Sequence, residues 1–312
     1  MQAIALFIIA LSSSILTFFI QRIYLLNNKI DSIVGRSSHK GIATRTGGIT
    51  IFLCLFGITL FYYIKGEEPF DFSLLIPLGI MFLIGLYDDF YQADYKLKLL
   101  MQIIVAKILI DQGLVIDNYY GLFGLYQIPW WLAQLSTLFV FIVVVNSINF
   151  IDGIDGLAIS IFLKFLLLFG CLSVNNPLKE LSLILWAGIV PLYYFNFRKS
   201  EKVFLGDAGS LLLGTLSCIY LFRMLANDFE LIHPLNNHKP LVGVVLLLHP
   251  LTDLLRVFIL RIKEKKSPFS ADNNHIHHLL LKKINKHWKI VLTIVLLEAV
   301  AGICAFQLLI LV

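Results

Sequence analysis

WWLAQLSTLFVFIVVVNSINFIDGIDGLAISIFLKFLLLFG, residues 130–170, decides how this chain is read. One apolar run enters the stretch and a second leaves it. Between them stand Asn146, Asn149, Asp152 and Asp155, spaced in threes. A helix of about 20 apolar residues crosses a bilayer core of about 30 Å. Acids at the end of such a run are costly and usually functional.

The pattern extends along the whole chain. Its 312 residues are 58% hydrophobic and only 14% charged, with a mean hydropathy of +0.84. That leaves too little polar surface to cover a soluble domain of this length. The apolar runs are continuous rather than alternating, which excludes a transmembrane β-barrel. The expected fold is all-α, a polytopic membrane protein of about ten helices. The expected spans are 1–20, 48–64, 73–87, 97–114, 130–147, 157–174, 181–197, 208–225, 240–260 and 290–312. The first twenty residues lack a basic residue before the apolar run and are taken as the first span, not a signal peptide. Without internal repeat or linker, 1–312 is expected to be a single domain. The four cysteines sit singly in apolar runs, as small buried hydrophobes.

Basic residues sort by loop. Loop 21–47 carries Arg22, Lys29, Arg36, Lys40 and Arg45, and loop 88–96 ends in Lys96 with Lys98 just beyond. Loop 198–207 carries Arg198, Lys199 and Lys202, and loop 261–289 carries eight lysines and arginines. The alternate loops hold only Lys65, Lys179 and Lys239. The basic loops, together with 148–156, are expected on the cytoplasmic side, with both termini outside. The unusual polar residues fall on that same side: Asp88 and Asp89, the 146–155 set, Asp207, and His275, His277 and His278. An active site at the cytoplasmic face follows as the expectation.

The residue types limit the chemistry. On one continuous helix, Asn149, Asp152 and Asp155 would form a stripe whose repulsion a cation relieves. Hard oxygens favour Mg²⁺, with Mn²⁺ as the alternative; a simple capped helix end is the bland reading. Asp207, in VFLGDAGS, opens a predicted helix whose N–H groups would receive a phosphate. HIHH fits a phosphate patch, a zinc site or the polar side of a surface helix. Lys164 and Arg223 read as snorkelling or helix-pairing residues. Acids, imidazoles and bases beside apolar walls point to a reaction between a lipid and a soluble phosphorylated anion.

GLYDDF followed by KxKLLMQ, NxxN before DGIDGLA, KVFLGDAGS, PFSADNNHIHHLLL and RSSHKGIATRTGGI at 36–49 together resemble the polyprenyl-phosphate N-acetylhexosamine-1-phosphate transferases. The resemblance covers nearly the whole chain in the family's order. It implies transfer of a HexNAc-1-phosphate from a UDP-sugar to undecaprenyl phosphate with release of UMP, starting a cell-surface polysaccharide such as O-antigen. It implies Mg²⁺, the bacterial inner membrane, and membrane lipids but no nucleic acid as partners, with a homodimer among the expectations. It assigns Asp88 to proton acceptance or positioning, Asp89 and Asp207 to the metal, and Lys96 and Lys98 to phosphate. Asn149, Asp152 and Asp155 match a nucleotide-side stripe, His275, His277 and His278 a phosphate- or sugar-binding motif. Asn196 resembles an asparagine upstream of the GD motif, at a spacing one residue longer. HIHHLLL after PFSAD is closer to the GlcNAc-1-phosphate branch than to phospho-MurNAc-pentapeptide transferase, which stays an alternative. A cation-coupled transporter, favoured by Asp253 within a span, and a non-catalytic assembly subunit are the rivals from other classes.

Overall fold

The computed structural model describes residues 2–31, 41–265, 274–284 and 286–311. Arg36, Lys40, Lys266 and residues 268–273 of the PFSAD motif lie outside them. Thirteen helices are seen among the described residues. In chain order they are α1 (Gln2–Leu26), α2 (Gly47–Lys65), α3 (Leu75–Tyr91), α4 (Tyr95–Asp111), α5 (Trp130–Ile151), α6 (Leu157–Leu172), α7 (Lys179–Ile189), α8 (Leu192–Asn196), α9 (Gly206–Leu225), α10 (Lys239–Leu246), α11 (Leu248–Lys263), α12 (Ile276–Leu281) and α13 (His287–Leu311). Two two-residue strands, β1 (Ala43–Thr44) and β2 (Lys202–Val203), pair in parallel.

Every expected span coincides with a helix, but their lengths differ. Among the described residues six are long and apolar enough to cross a membrane: Ala3–Leu26, Gly47–Lys65, Phe72–Tyr91, Trp130–Ile151, Gly206–Leu225 and His287–Leu309. The segment expected at 240–260 is instead a pair, Leu235–Leu246 and Leu248–Lys263, bent by 63°. Pro250 explains the bend, since it has no N–H to offer the Leu246 carbonyl one turn earlier. The segment at 181–197 divides into α7 and α8 at Pro191. Leu157–Leu172 is apolar but short.

The chain forms two compact units, residues 1–105 with 176–216, and 106–175 with 217–312. In the first, α1 packs on α2 and α7, and α2 packs on α3. Glycines set its closest approach. A Cβ on Gly48 would stand 2.2 Å from the Gly209 nitrogen, and one on Gly85 would stand 2.5 Å from the Asp207 carbonyl oxygen. Small residues bring backbones together in this way inside apolar surroundings. The Gly47 and Gly48 N–H groups donate to the Phe204 and Leu205 carbonyls, both at 2.9 Å. The pairing of β1 with β2 is thereby carried on into the starts of α2 and α9.

In the second unit α5 packs on α6 and α11, and α13 packs on α6, α10, α11 and α12. A buried ion pair holds the α10–α11 bend. Lys164 Nζ lies 2.5 Å from Glu298 Oε1 and donates to the Leu246 carbonyl at 3.0 Å. Glu298 Oε1 accepts the His249 N–H at 3.1 Å. The carbonyl released by Pro250 and an N–H at the start of α11 are both satisfied by side chains, as an apolar surrounding demands. Of the two readings expected for Lys164, the structure shows the helix–helix pair rather than snorkelling. Arg223 forms a bidentate pair with Asp228 at 2.9 and 2.8 Å.

Candidate active site

In the first unit the paired acids sit in the last turns of α3, which ends at Gln92 in the left-handed conformation (φ 55°). Asp88 and Asp89 leave this helix in different directions. Asp88 Oδ1 accepts the Ala93 N–H at 2.6 Å. Its Oδ2 meets Lys98 Nζ at 2.5 Å, and the same ammonium meets Asp207 Oδ2 at 2.8 Å. One cation thus stands between carboxylates from α3 and α9. Lys96 is exposed, and its N–H is accepted by Asp94 Oδ1 at the start of α4. Of the two lysines expected at phosphate, the structure brings Lys98 alone to the acids.

Asp89 takes the place expected for a phosphate. Its Oδ1 and Oδ2 accept the N–H groups of Asp207 and Ala208, each at 3.0 Å, so a carboxylate from α3 caps α9. Gly206 precedes it at φ +73°, where an added Cβ would lie 2.6 Å from Asp89 Oδ2. Arg45 NH1 lies 3.4 Å from Asp89 Oδ1, while its NH2 lies 2.6 Å from Asp31 Oδ1. Burial lowers the Arg45 pKa, but Asp31, Asp89 and Asp207 together raise it above its ordinary value. A cavity of about 290 Å³ opens beside Asp89, lined by Tyr24, Lys29, Asp31, Arg45, Phe90 and Gln92 among others. Lys29 Nζ lies 4.6 Å from the centre of the Phe90 ring there.

Among the described residues no three His, Cys, Asp or Glu side chains gather closely enough to hold a metal ion by themselves. Mg²⁺ commonly needs only one or two carboxylates, with substrate phosphates completing its shell. Asp88 and Asp207, which already hold a cation between them in the form of Lys98, are a donor set of that kind. Both oxygens of Asp89, expected with Asp207 at the metal, are engaged by backbone N–H groups. Asn196 is buried, and its amide donates to the Val203 carbonyl at 2.7 Å, tying α8 to β2.

The second unit holds the remaining expected residues. The stripe of Asn149, Asp152 and Asp155 does not form, because α5 ends at Ile151. Asp152 is the C-cap of α5, its N–H bonding the Asn149 carbonyl at 3.2 Å. The two glycines break the helical register, and Gly156 takes φ +77° before α6. Asp155 is buried in the turn, with Oδ2 2.9 Å from His287 Nδ1. His275 and His277 are buried and His278 is half-buried; the His275 and His277 rings lie nearly parallel, with centres 5.6 Å apart. His277 is pressed against Gly153, where a Cβ would come within 2.2 Å of Nε2. Neither of its ring nitrogens has a hydrogen-bond partner. Burial, then the charges of His278 and His275, push the His277 pKa down to about 3, so its ring is neutral at neutral pH. His275 Nδ1 lies 2.9 Å from Asp253 Oδ2.

The sequence reading missed these partners. Arg45, Asp253 and His287 each contact an expected residue, and Asp31 holds Arg45, but the signals were indirect: an arginine inside the RTGG segment, and an acid within a span. Nothing in the sequence marked His287.

Comparison with known proteins places this geometry in a lineage. Residues 71–224, which include Asp88, Asp89, Lys98 and Asp207, match the profile described as glycosyl transferase family 4. The chain is 28% identical over 314 residues to the probable undecaprenyl-phosphate N-acetylglucosaminyl 1-phosphate transferase of Bacillus subtilis (strain 168), covering 98% of this chain and 84% of that one. Residues 71–224 thus resemble glycosyl transferase family 4. Two further relatives are undecaprenyl-phosphate alpha-N-acetylglucosaminyl 1-phosphate transferases. The Yersinia pestis protein is 28% identical over 79% of this chain and 68% of its own length. The Escherichia coli (strain K12) protein is 28% identical over 88% and 75%. The profile match ends at residue 224, before α11 and α12, so the histidine motif lies outside it.

Proposed function

We propose that the protein transfers a HexNAc-1-phosphate, GlcNAc-1-phosphate by preference, from a UDP-sugar to undecaprenyl phosphate. The observation that carries this reading is the Asp88–Lys98–Asp207 bridge, a fixed cation between two carboxylates at the ends of apolar helices. The relatives' names supply the substrate class. In the reaction, a lipid phosphate oxygen attacks the β-phosphorus of the UDP-sugar. The bond from that phosphorus to the oxygen bridging it to the α-phosphorus breaks, and UMP leaves with that oxygen. A polyprenyl-diphosphate sugar remains in the bilayer.

Each chain residue then has a task set by its contacts. Lys98 is held at the acids and offers its charge to the phosphates as they meet. Asp88 orients Lys98; a lipid phosphate is already largely ionised at neutral pH, so positioning rather than proton removal is its main task. Asp89 fixes the start of α9 and hence Asp207. Asp207 and Asp88 would hold Mg²⁺, which would supply charge neutralisation between two anions. In the second unit, His275, His277 and His278 offer ring nitrogens to phosphate or sugar. We place the site at the cytoplasmic face of a bacterial inner membrane, in a chain of about ten crossing segments that starts a cell-surface polysaccharide.

The test is to supply purified protein with Mg²⁺, undecaprenyl phosphate and a panel of UDP-N-acetylhexosamines, and to identify the lipid product by mass. UMP should appear only when both substrates are present, and chelation with EDTA should abolish it. A folded preparation that forms no product with any member of the panel sinks the reading.

A further inference from the structure

We propose that Asp253 is a positioning residue that fixes the ring and tautomer of His275, so that Nε2 is the atom presented to the sugar-diphosphate donor. The proposal rests on the transferase reading for its substrate, but its geometry stands apart from it. Asp253 is 0% exposed in α11, and a carboxylate buried in this way persists only where it is paired. Its carboxylate has three donors. Oδ1 accepts the Ile276 N–H at 3.0 Å and Arg256 NH2 at 3.0 Å, and Oδ2 lies 2.9 Å from His275 Nδ1. A carboxylate receiving a backbone N–H and a guanidinium is ionised, and an ionised carboxylate only accepts. The proton between Asp253 and His275 therefore belongs to Nδ1.

The surroundings leave the ring little freedom. His275 packs against Phe150 with centres 5.6 Å apart and lies nearly parallel to His277. Arg256 NH2 also donates to the Asn274 carbonyl. Asp253 and Arg256 together fasten the start of α12 to α11, with His275 at the fastening point. With Nδ1 engaged, Nε2 is the ring atom left for a ligand. This is the relation in which a buried acid sets the tautomer of a working histidine.

Asp253→Asn isolates the histidine contact. The amide oxygen keeps Ile276 and Arg256, while the new NH2 faces Nδ1 and drives the proton to Nε2. We expect kcat/KM for the UDP-sugar to fall by about tenfold or more, with KM for undecaprenyl phosphate unchanged and the melting temperature near wild type. His275→Ala should produce a similar loss, and the double variant should lose little more than His275→Ala alone. Losses that multiply, or equal damage toward both substrates, overturn the proposal. Histidine ¹⁵N NMR on the full chain in detergent gives a reading free of turnover. The signal that disappears in His275→Ala should show a protonated Nδ1 in the wild type and a protonated Nε2 in Asp253→Asn. An Nε2-protonated wild-type ring refutes the proposal even if the enzyme is active. Absence of UMP release from wild type, with the Nδ1 signal present, refutes the substrate assignment and leaves the positioning intact.

Discussion

At the scale of single residues, one acid pair is divided between two tasks. Asp88 is half of an ion bridge, and Asp89 is the cap of a helix from elsewhere in the chain. The adjacent letters DD pointed to a pair but not to its division. Successive residues of α3 point about 100° apart, which sends one carboxylate toward Lys98 and the other toward the N–H groups of α9. Lys98 is the residue on which the cluster turns, so Lys98→Gln should lower kcat/KM for UMP release by about 10²–10³. Lys98→Arg should recover part of that loss, with melting temperatures controlling for misfolding. A Lys98→Gln enzyme at wild-type rate would remove the bridge from the chemistry. His277 makes a prediction in pH. Its folded pKa, about 3, lies below the ordinary value, so the unfolded chain takes up the proton first as pH falls. The stability from its neutral burial is therefore full above about pH 6.5 and lost progressively toward pH 3. Between pH 7.5 and pH 5 the protein should lose about 2 kcal/mol from this group. His277→Leu should flatten that part of the melting profile; an unchanged slope would show that another group governs it.

At the scale of elements, the apolar runs were legible and the breaks in them were not. Length and hydropathy located a helix in every expected segment. Pro191 and Pro250 were visible in the sequence, yet an apolar run reads as continuous across a proline, because composition is blind to a missing N–H. The same holds for FIDGIDG. Spacing in threes suggests a stripe only if the helix continues, and Gly153 and Gly156 are where it does not. Site residues lying on helix ends were therefore found, while their partners, set by packing between distant segments, were not. The α10–α11 bend carries the prediction for this scale. Lys164→Met leaves the Glu298 charge buried beside the bend, and Glu298→Gln leaves the Lys164 charge alone. Either should destabilise the fold by about 3–5 kcal/mol. Lys164→Met with Glu298→Leu, which removes both charges, should cost clearly less than the worse single change. Denaturation of the detergent-solubilised protein measures all three, and a double variant as poor as the worse single one would refute the pairing.

At the scale of the whole molecule, the distribution of charge is the ground for the proposed face at which the chemistry occurs. The relatives and the apolar helices establish a multi-pass transferase lineage but carry no direction. Direction comes from the loops: Arg22, Lys29, Arg45, Arg198, Lys199 and Lys202 stand at one set of helix ends, while Lys65 and Lys179 alone mark the opposite ends of α2 and α7. Short basic loops are retained on the cytoplasmic side. The first unit allows a clean test, because the β1–β2 pairing already brings the loops after α1 and α8 together. In a chain freed of Cys54, Cys171, Cys218 and Cys304, Lys29→Cys and Lys199→Cys should react with a membrane-impermeant maleimide only after the inner face is opened. Glu67→Cys and Lys179→Cys should react in intact cells. The proposed UDP-sugar donor is cytoplasmic, so the Asp88–Lys98–Asp207 bridge must open to that side for the proposed transfer to occur. Labelling of Lys29→Cys from outside would turn the carboxylate cluster away from its substrate, whatever its geometry.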